Sequence, residues 1–202
     1  MYHVHTTEAL VLSERGRGEA SKILFLFTKH LGVVFARATG IRKLDSKLRY
    51  SLQKFSHATV SLVRGRGEWK IIDAQALESF PKILGSEADR LFLSRMAVLL
   101  ERFLSESTDT AQVFEITRDA LLFLERNNLS PSELHQLEIY LVASLLFHLG
   151  HMPEVFPLEF SQWEARGLLS DVIKSLSGHE LRLVGLINEA LSASHLAGEH
   201  MV

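Results

Sequence analysis

Residues 22–39 read Lys-Ile-Leu-Phe-Leu-Phe-Thr-Lys-His-Leu-Gly-Val-Val-Phe-Ala-Arg-Ala-Thr. Both halves of this stretch, Lys22 to Lys29 and Val33 to Thr39, are rich in aromatic and branched residues, and glycines end them at Gly32 and Gly40. That is the composition of strands. Only His30-Leu31-Gly32 separates the two runs, which suits an antiparallel hairpin in which glycine takes the positive φ angle.

Working outward toward the N-terminus, residues 7–14 (TEALVLSE) form a short apolar run bounded by polar residues and then by Gly16 and Gly18. A run of that length fits a buried strand better than a helix. Working outward the other way, Phe55 to Val63 alternates, with Ala58, Val60 and Leu62 on one face and His57, Thr59 and Ser61 on the other. Period two marks a half-buried strand. Arg64 to Gly67 then turns the chain, and Glu68 to Ala76 (EWKIIDAQA) pairs back as a fifth strand. A three-strand meander, a longer connection and a hairpin match the elements of a five-stranded OB-fold β-barrel, although SH3-like barrels have a similar count.

Beyond Pro81 the apolar period becomes that of helices. Glu87 to Leu104 carries Leu91, Met96, Val98, Leu99, Leu100 and Phe103 and is expected as a core helix. A second helix runs from about Thr110 to Arg126, with Val113, Phe114, Ala120, Leu121 and Leu124 inward, and Asn127-Asn128 ends it. The third has explicit start signals: Ser130 as N-cap, Pro131 at the first helical position and Glu133 completing a capping box, with Gly150 and Pro153 as the stop. Residues 151–160 hold two prolines and are expected to be an extended linker, followed by helices over Gly167 to Ser177 and His179 to about Leu196 with Gly178 between them. The expected class is therefore α+β and multidomain, with the barrel in residues 1–80 and an all-α helical bundle in residues 81–202.

Net charge is −2, but the two parts differ in sign. Residues 1–80 contain 13 Lys+Arg against 7 Asp+Glu, a balance of +6; residues 81–202 contain 9 against 17, a balance of −8. The positive charge concentrates between strands three and four, where Arg37, Arg42, Lys43, Lys47, Arg49 and Lys54 face one acid, Asp45. A cluster of this kind suits phosphate contacts, whereas the same charge interleaved with acids would serve solubility.

A pentapeptide, Arg-Gly-Arg-Gly-Glu, occurs at residues 15–19 and again at 64–68. These are the expected loops between strands one and two and between strands four and five, which OB-folds use to bind nucleic acid. Glycine lets backbone approach a phosphate, and guanidinium binds its oxygens in pairs. The candidate nucleic-acid contacts are thus Arg15, Arg17, Arg64 and Arg66 from the loops, Lys22 at the start of strand two, and the six cations of the basic connection. Among the aromatics, Phe35, Tyr50, Phe55 and Trp69 could stack on bases, and Tyr50 and Trp69 are preferred because they sit among cations.

Other chemistries find little support. The absence of cysteine excludes disulfides, thiolate zinc sites and a Cys nucleophile, and fits a reducing, cytoplasmic compartment. No window approaches the roughly 20 apolar residues of a membrane span, and no secretory leader is evident. His3 with His5, and His148 with His151, lack a third ligand at a recognisable spacing. There is no HExxH, no complete dinucleotide fingerprint, no Walker sequence and no GxSxG elbow. Neither a cofactor nor an enzymatic activity is expected.

Taken in order, Glu8-Ala9-Leu10-Val11-Leu12, Gly18-Glu19-Ala20-Ser21-Lys22, Leu26-Phe27-Thr28, Gly32, Gly40-Ile41-Arg42-Lys43, Ser46-Lys47, Leu52-Gln53-Lys54-Phe55, Arg64-Gly65-Arg66-Gly67 and Leu77-Glu78-Ser79-Phe80 resemble bacterial RecO, the recombination mediator family. The likeness covers about residues 7–83. It implies an N-terminal OB-fold followed by a helical domain, binding of single- and double-stranded DNA, strand annealing, and help in loading recombinase in a nucleoid-associated setting. The implied partners are RecR and the acidic tail of single-strand-binding protein. Many members carry a four-cysteine zinc module between the bundle helices; here its place is taken by His151 to Phe160, and the chain is read as a short form. Two alternatives stay open: an adaptor whose basic face docks acidic protein tails, and a barrel that binds RNA.

Overall fold

In the computed structural model, which describes residues 3–65, 67–104, 110–152 and 169–193, the first strand is much longer than its apolar run. β1 (Val4–Arg17) pairs with two neighbours in turn. Its first half runs antiparallel to β4 (His57–Arg64), from Val4 opposite Val63 to Leu10 opposite His57. Its second half runs antiparallel to β2 (Ser21–Thr28), from Ala9 opposite Thr28 to Arg17 opposite Ser21. A register shift between Val11 and Ser13 lets one strand bend from one ladder to the other, as barrel closure requires.

β2 turns into β3 (Gly32–Ala38) through the expected hairpin, with Gly32 at φ 65°. β5 (Trp69–Glu78) pairs back on β4 and closes onto β3 in parallel through Ala36–Trp69, Arg37–Lys70 and Ala38–Ile71. The closed order β1-β2-β3-β5-β4 is that of the OB-fold, which resolves the choice left by counting strands. Side chains alternating inward build the core from Ala9, Val11, Leu24, Leu26, Val34, Ala36, Ala58, Val60, Leu62 and Ile71. Burial of each large one stabilises by about 1.5–3 kcal/mol.

The connection between β3 and β4 is not a plain loop. It contains a one-turn helix, α1 (Lys47–Ser51), preceded by Ser46, whose side chain makes no cap hydrogen bond. Ile41 before α1 and Leu52 after it are buried in the barrel core, so the connection is pinned at both ends. Phe55 then adopts φ 61°, an uncommon conformation for a bulky residue. Its amide donates to Val11 O at 2.6 Å and the Val11 amide donates to Ser56 O at 2.9 Å, at the bend of β1.

After the barrel come α2 (Pro81–Gly85), which the sequence reading did not foresee, and α3 (Glu87–Phe103). α3 buries Phe92, Leu93, Met96, Ala97 and Leu100. Leu91 and Val98, expected in its core face, are instead 57% and 63% exposed. With apolar residues round most of the helix, composition does not define which side faces inward. α4 (Ala111–Arg126) follows, and its expected core set is buried throughout. Phe114 packs on Phe27, ring centroids 5.4 Å apart, and Thr110 Oγ1 donates to Thr28 O at 3.0 Å.

Contacts divide the chain into Met1–Arg118 and Asp119–Val202. The barrel proper ends by Phe80, and the first unit includes helical residues beyond it. In the second unit, α5 (Pro131–His148) begins with the capping box read from sequence, Ser130 Oγ accepting from the Glu133 amide and the Glu133 carboxylate accepting from the Ser130 amide. Its apolar second half is buried, and α6 (Leu169–Leu176) and α7 (Glu180–Ala193) pack beside it. Gly178 breaks α6 from α7 at φ 88°. From Pro153 onward, the expected linker at 151–160 lies outside the described residues.

Candidate nucleic-acid interface

The first Arg-Gly motif is strand more than loop. Arg15, Gly16 and Arg17 pair with Ile23, Lys22 and Ser21, and only Gly18 to Ala20 form the turn. Ladder pairing with β2 holds these residues extended, where the sequence reading placed the loop between strands one and two. Arg17 is thereby aimed at the second motif, and its NH1 lies 2.9 Å from Glu68 Oε2. Arg37, at the end of β3, lies 3.5 Å from the other Glu68 oxygen. One carboxylate thus joins the ends of β1 and β3 and the β4–β5 hairpin. The Arg37 Nε is buried and has no hydrogen-bond partner, so part of its donor capacity is unused.

At the hairpin itself, Arg64 ends β4 and its guanidinium lies 5.4 Å from the Trp69 ring centroid. Trp69 was expected as an exposed stacking residue. It is instead 6% exposed and belongs to the barrel core, with His5 edge-on to its ring at 5.4 Å. The reason is its parity at the start of β5, where Trp69 and Ile71 point inward. Arg66 lies outside the described residues.

A second group forms a cleft of about 390 Å³ lined by Glu14, Lys22, Ile41, Arg42, Arg49, Leu52, Gln53 and Lys54. Four of the expected cations meet here, supplied by β2, the segment before α1, α1 itself and the segment after it. The cleft's one acid, Glu14, is held by Lys22 Nζ at 2.6 Å. Neither Arg49 nor Lys54 has a carboxylate partner among the described residues, so the cleft keeps a positive field. The Lys54 ammonium lies 4.6 Å from the Phe55 ring centroid, which fixes its stem beside the strained turn.

Arg42 links the cleft to the first motif. Its NH1 donates to Gly18 O at 3.3 Å and its backbone amide to Ala20 O at 3.1 Å. The basic connection therefore docks on the β1–β2 turn and does not hang free of it. Lys43 folds back toward Gly40, while Lys47 and Tyr50 stand exposed on α1, Tyr50 by 70%. Arg15 is exposed on the outer part of β1.

Several residues that shape this surface were missed by the sequence reading. Glu14, Gln53 and Glu68 are polar neighbours of the cations; the glutamate that ends the second pentapeptide was a visible signal, since an acid beside two arginines invites an ion pair. Ile41 and Leu52 border the cleft from beneath but are buried in the barrel core, 3% and 1% exposed. Phe35 is 46% exposed and stacks on Phe25 with centroids 5.1 Å apart. Its exposure depends on the parity of β3, which composition alone left undecided.

Residues 1–80 match the family described as "Recombination protein O N terminal". The chain is 32% identical over 152 residues to the DNA repair protein RecO of Heliobacterium modesticaldum, an alignment covering 75% of this chain and 54% of that protein. The DNA repair protein RecO of Dehalococcoides mccartyi is 32% identical over 157 residues, covering 76% and 59%. That of Nocardioides sp. is 31% identical over 144 residues, covering 70% and 58%. The chain thus spans somewhat more than half the length of these relatives. The likeness runs past the barrel into the helices, and on both grounds the chain belongs to the RecO family.

Proposed function

We propose that the protein acts in DNA repair and homologous recombination as a mediator that binds single- and double-stranded DNA, anneals strands and assists recombinase loading, without bond chemistry of its own. The observation that carries this reading is the cleft in which Lys22, Arg42, Arg49 and Lys54 converge on the barrel wall. Arg15, Lys43 and Lys47 add exposed charge, Arg17, Arg37 and Arg64 gather around Glu68 and Trp69 at the strand ends, and Tyr50 offers an exposed ring. Trp69 supports the Arg64 side chain from the core. The relatives' shared name, DNA repair protein RecO, points the same way. RecR and the acidic tail of single-strand-binding protein are the proposed protein partners, and the cytoplasm the proposed compartment. Among the described residues no helix is long and apolar enough to cross a membrane.

The test is a salt series. Binding to single-stranded DNA should weaken steeply as salt rises, and Arg42→Ala, Lys43→Ala and Lys47→Ala together should flatten the slope of log K against log salt by about 0.7 per lost phosphate contact. An unchanged slope would remove the basic connection from the interface. Competition between a tail peptide and an oligonucleotide would show whether the two share the surface.

A further inference from the structure

The tip of the connection between β3 and α1 carries a leucine that neither the core nor the cation cluster uses. Leu44 is 83% exposed, although Ile41 before it and Leu52 after it are buried. No other large apolar side chain among the described residues of the first unit is as exposed. Leu44 and Asp45 are the central residues of a tight turn closed by the Ser46 amide, which donates to Lys43 O at 3.2 Å. Turns favour glycine, proline, asparagine, aspartate and serine, each for a conformational or hydrogen-bonding reason that leucine does not share. The turn itself therefore gives no reason for a leucine at its apex.

We propose that Leu44 is a wedge that enters a base step of double-stranded DNA and unstacks it, while Lys43 and Lys47 hold the phosphates on either side. The proposal rests on the DNA-binding reading above and adds an action that cations cannot supply. Apolar side chains inserted in this way kink a duplex, and flexible pyrimidine–purine steps yield most readily. The charges next to the leucine are arranged to suit. Lys43 precedes it and Lys47 opens α1 just beyond it, both exposed, whereas the exposed carboxylate of Asp45 at the apex repels a phosphate. The apex is thus fitted to bases, whose amino groups a carboxylate can accept from, and its flanks to backbone. The mount is also stiff. Arg42 is docked on the β1–β2 turn through Gly18 O and Ala20 O, the Lys43 amide donates to Gly40 O at 3.0 Å, and buried Ile41 and Leu52 anchor both ends. A side chain held this way enters a stack without a loop having to be ordered first.

The experiment mixes the full chain with a duplex in which 2-aminopurine replaces adenine at a central thymine–adenine step, because the fluorescence of this base rises when it unstacks. At saturating protein the signal should rise severalfold. Leu44→Ala should lose most of that rise and Leu44→Met should keep it, while Leu91→Ala, which removes an exposed leucine from α3, should behave as the wild type. Binding of the duplex without a rise, or a rise that Leu44→Ala retains in full, overturns the proposal while leaving DNA binding intact. Loss of the rise in Tyr50→Ala but not in Leu44→Ala also overturns it, by assigning the unstacking to the exposed ring. Binding to phosphatidylglycerol vesicles that Leu44→Ala abolishes, with no rise on the duplex, assigns the leucine to a lipid surface instead. If neither duplex nor single strands bind in a salt-dependent way, the DNA-binding reading itself fails, and the wedge with it.

Discussion

Glu68 Oε2 accepts a hydrogen bond from Arg17 NH1 at 2.9 Å, across 51 residues of sequence. The pair joins the two Arg-Gly-Arg-Gly-Glu motifs to each other, and Arg37 adds a third element to the same carboxylate at 3.5 Å. Geometry of this kind orients guanidinium groups, but it also holds them partly neutralised. Glu68 is therefore a brake on the positive surface as well as a brace for it.

Glu68→Gln removes the negative charge while keeping a side chain of the same shape. Single-stranded DNA should then bind more tightly at low salt, with a slope of log K against log salt steeper by about 0.7 for each arginine recruited to phosphate. The ion pairs are partly exposed, so the cost in stability should be about 1 kcal/mol or less. A salt titration of the variant beside the wild type decides the matter; weaker binding with an unaltered slope would mean that Glu68 only braces the loops.

A second set of charges sits around His57, which is buried although the alternation of β4 placed it on the polar face. Its Nε2 lies 3.0 Å from Glu8 and its Nδ1 3.0 Å from Glu78, and its ring packs near Phe114. His57→Ala removes both contacts and leaves a cavity, and should destabilise the first unit by about 2–4 kcal/mol in urea unfolding.

Glu8 makes the acid limb of that stability predictable. Burial alone would raise its pKa, but Lys29 and then His57 outweigh it and hold the carboxyl below its ordinary value. A depressed folded pKa contributes stability that is present above the unfolded value and lost as pH falls through the folded one. Glu8→Gln should therefore be less stable than wild type at neutral pH, with the difference shrinking once acid protonates the wild-type carboxyl. Lys29 is shifted the opposite way: its hydrogen bond to Glu115, opposed by desolvation and aided by Glu8, raises its pKa. Its contribution is complete below the ordinary lysine value and disappears as pH rises through the folded one. Urea midpoints across the pH range, for Glu8→Gln and Lys29→Met, check both limbs.

The barrel's lower limit is set by packing, not by its last strand. Phe27 points out of the barrel and is buried, with Phe114 of α4 as its aromatic partner, and Thr110 binds the Thr28 carbonyl. Truncation after Phe80 deletes these partners and uncovers Phe27 and the His57 ring. Such a fragment should show lower stability than the full chain and bind a hydrophobic dye. Phe114→Ala in the full chain should cost about 3–5 kcal/mol if the same contact is responsible.

Much of this architecture is legible in local sequence, and the misreadings share a cause. Alternation at Ala58, Val60 and Leu62, the glycine at 32 and the signals at Ser130, Pro131 and Glu133 each act over a few residues, so their reading survives folding. β1 runs from Val4 to Arg17 because two different strands pair with it, which its own side chains do not reveal. α1 lacks a side-chain cap, so nothing in Lys47 to Ser51 announces a helix. Trp69, preferred over Phe35 as a stacking ring, is buried while Phe35 is exposed, because charged neighbours say little about parity in a strand and parity decides which ring is buried. The cleft was legible only as charge, since Ile41 and Leu52 meet Lys22 through the path of the chain between β3 and β4.

The capping box offers the sharpest local test. Ser130 Oγ accepts from the Glu133 amide at 3.3 Å, and Glu133 Oε2 accepts from the Ser130 amide at 2.8 Å and from its hydroxyl at 2.7 Å. Hydrogen bonds from the Ser130 backbone and then its side chain hold the Glu133 carboxyl below its ordinary pKa, with Lys174 adding a smaller pull. The stability this provides is present above the ordinary carboxylate value and is lost as pH falls through the lower folded one. Ser130→Ala should destabilise α5 by about 1 kcal/mol at neutral pH. It should also return the Glu133 titration toward the ordinary value, because a donor and an acceptor are lost together. Carboxyl chemical shifts followed through an acid titration read the second effect directly. A loss of stability with no movement in the Glu133 titration would assign the effect to serine's preference for the N-cap rather than to the reciprocal bond.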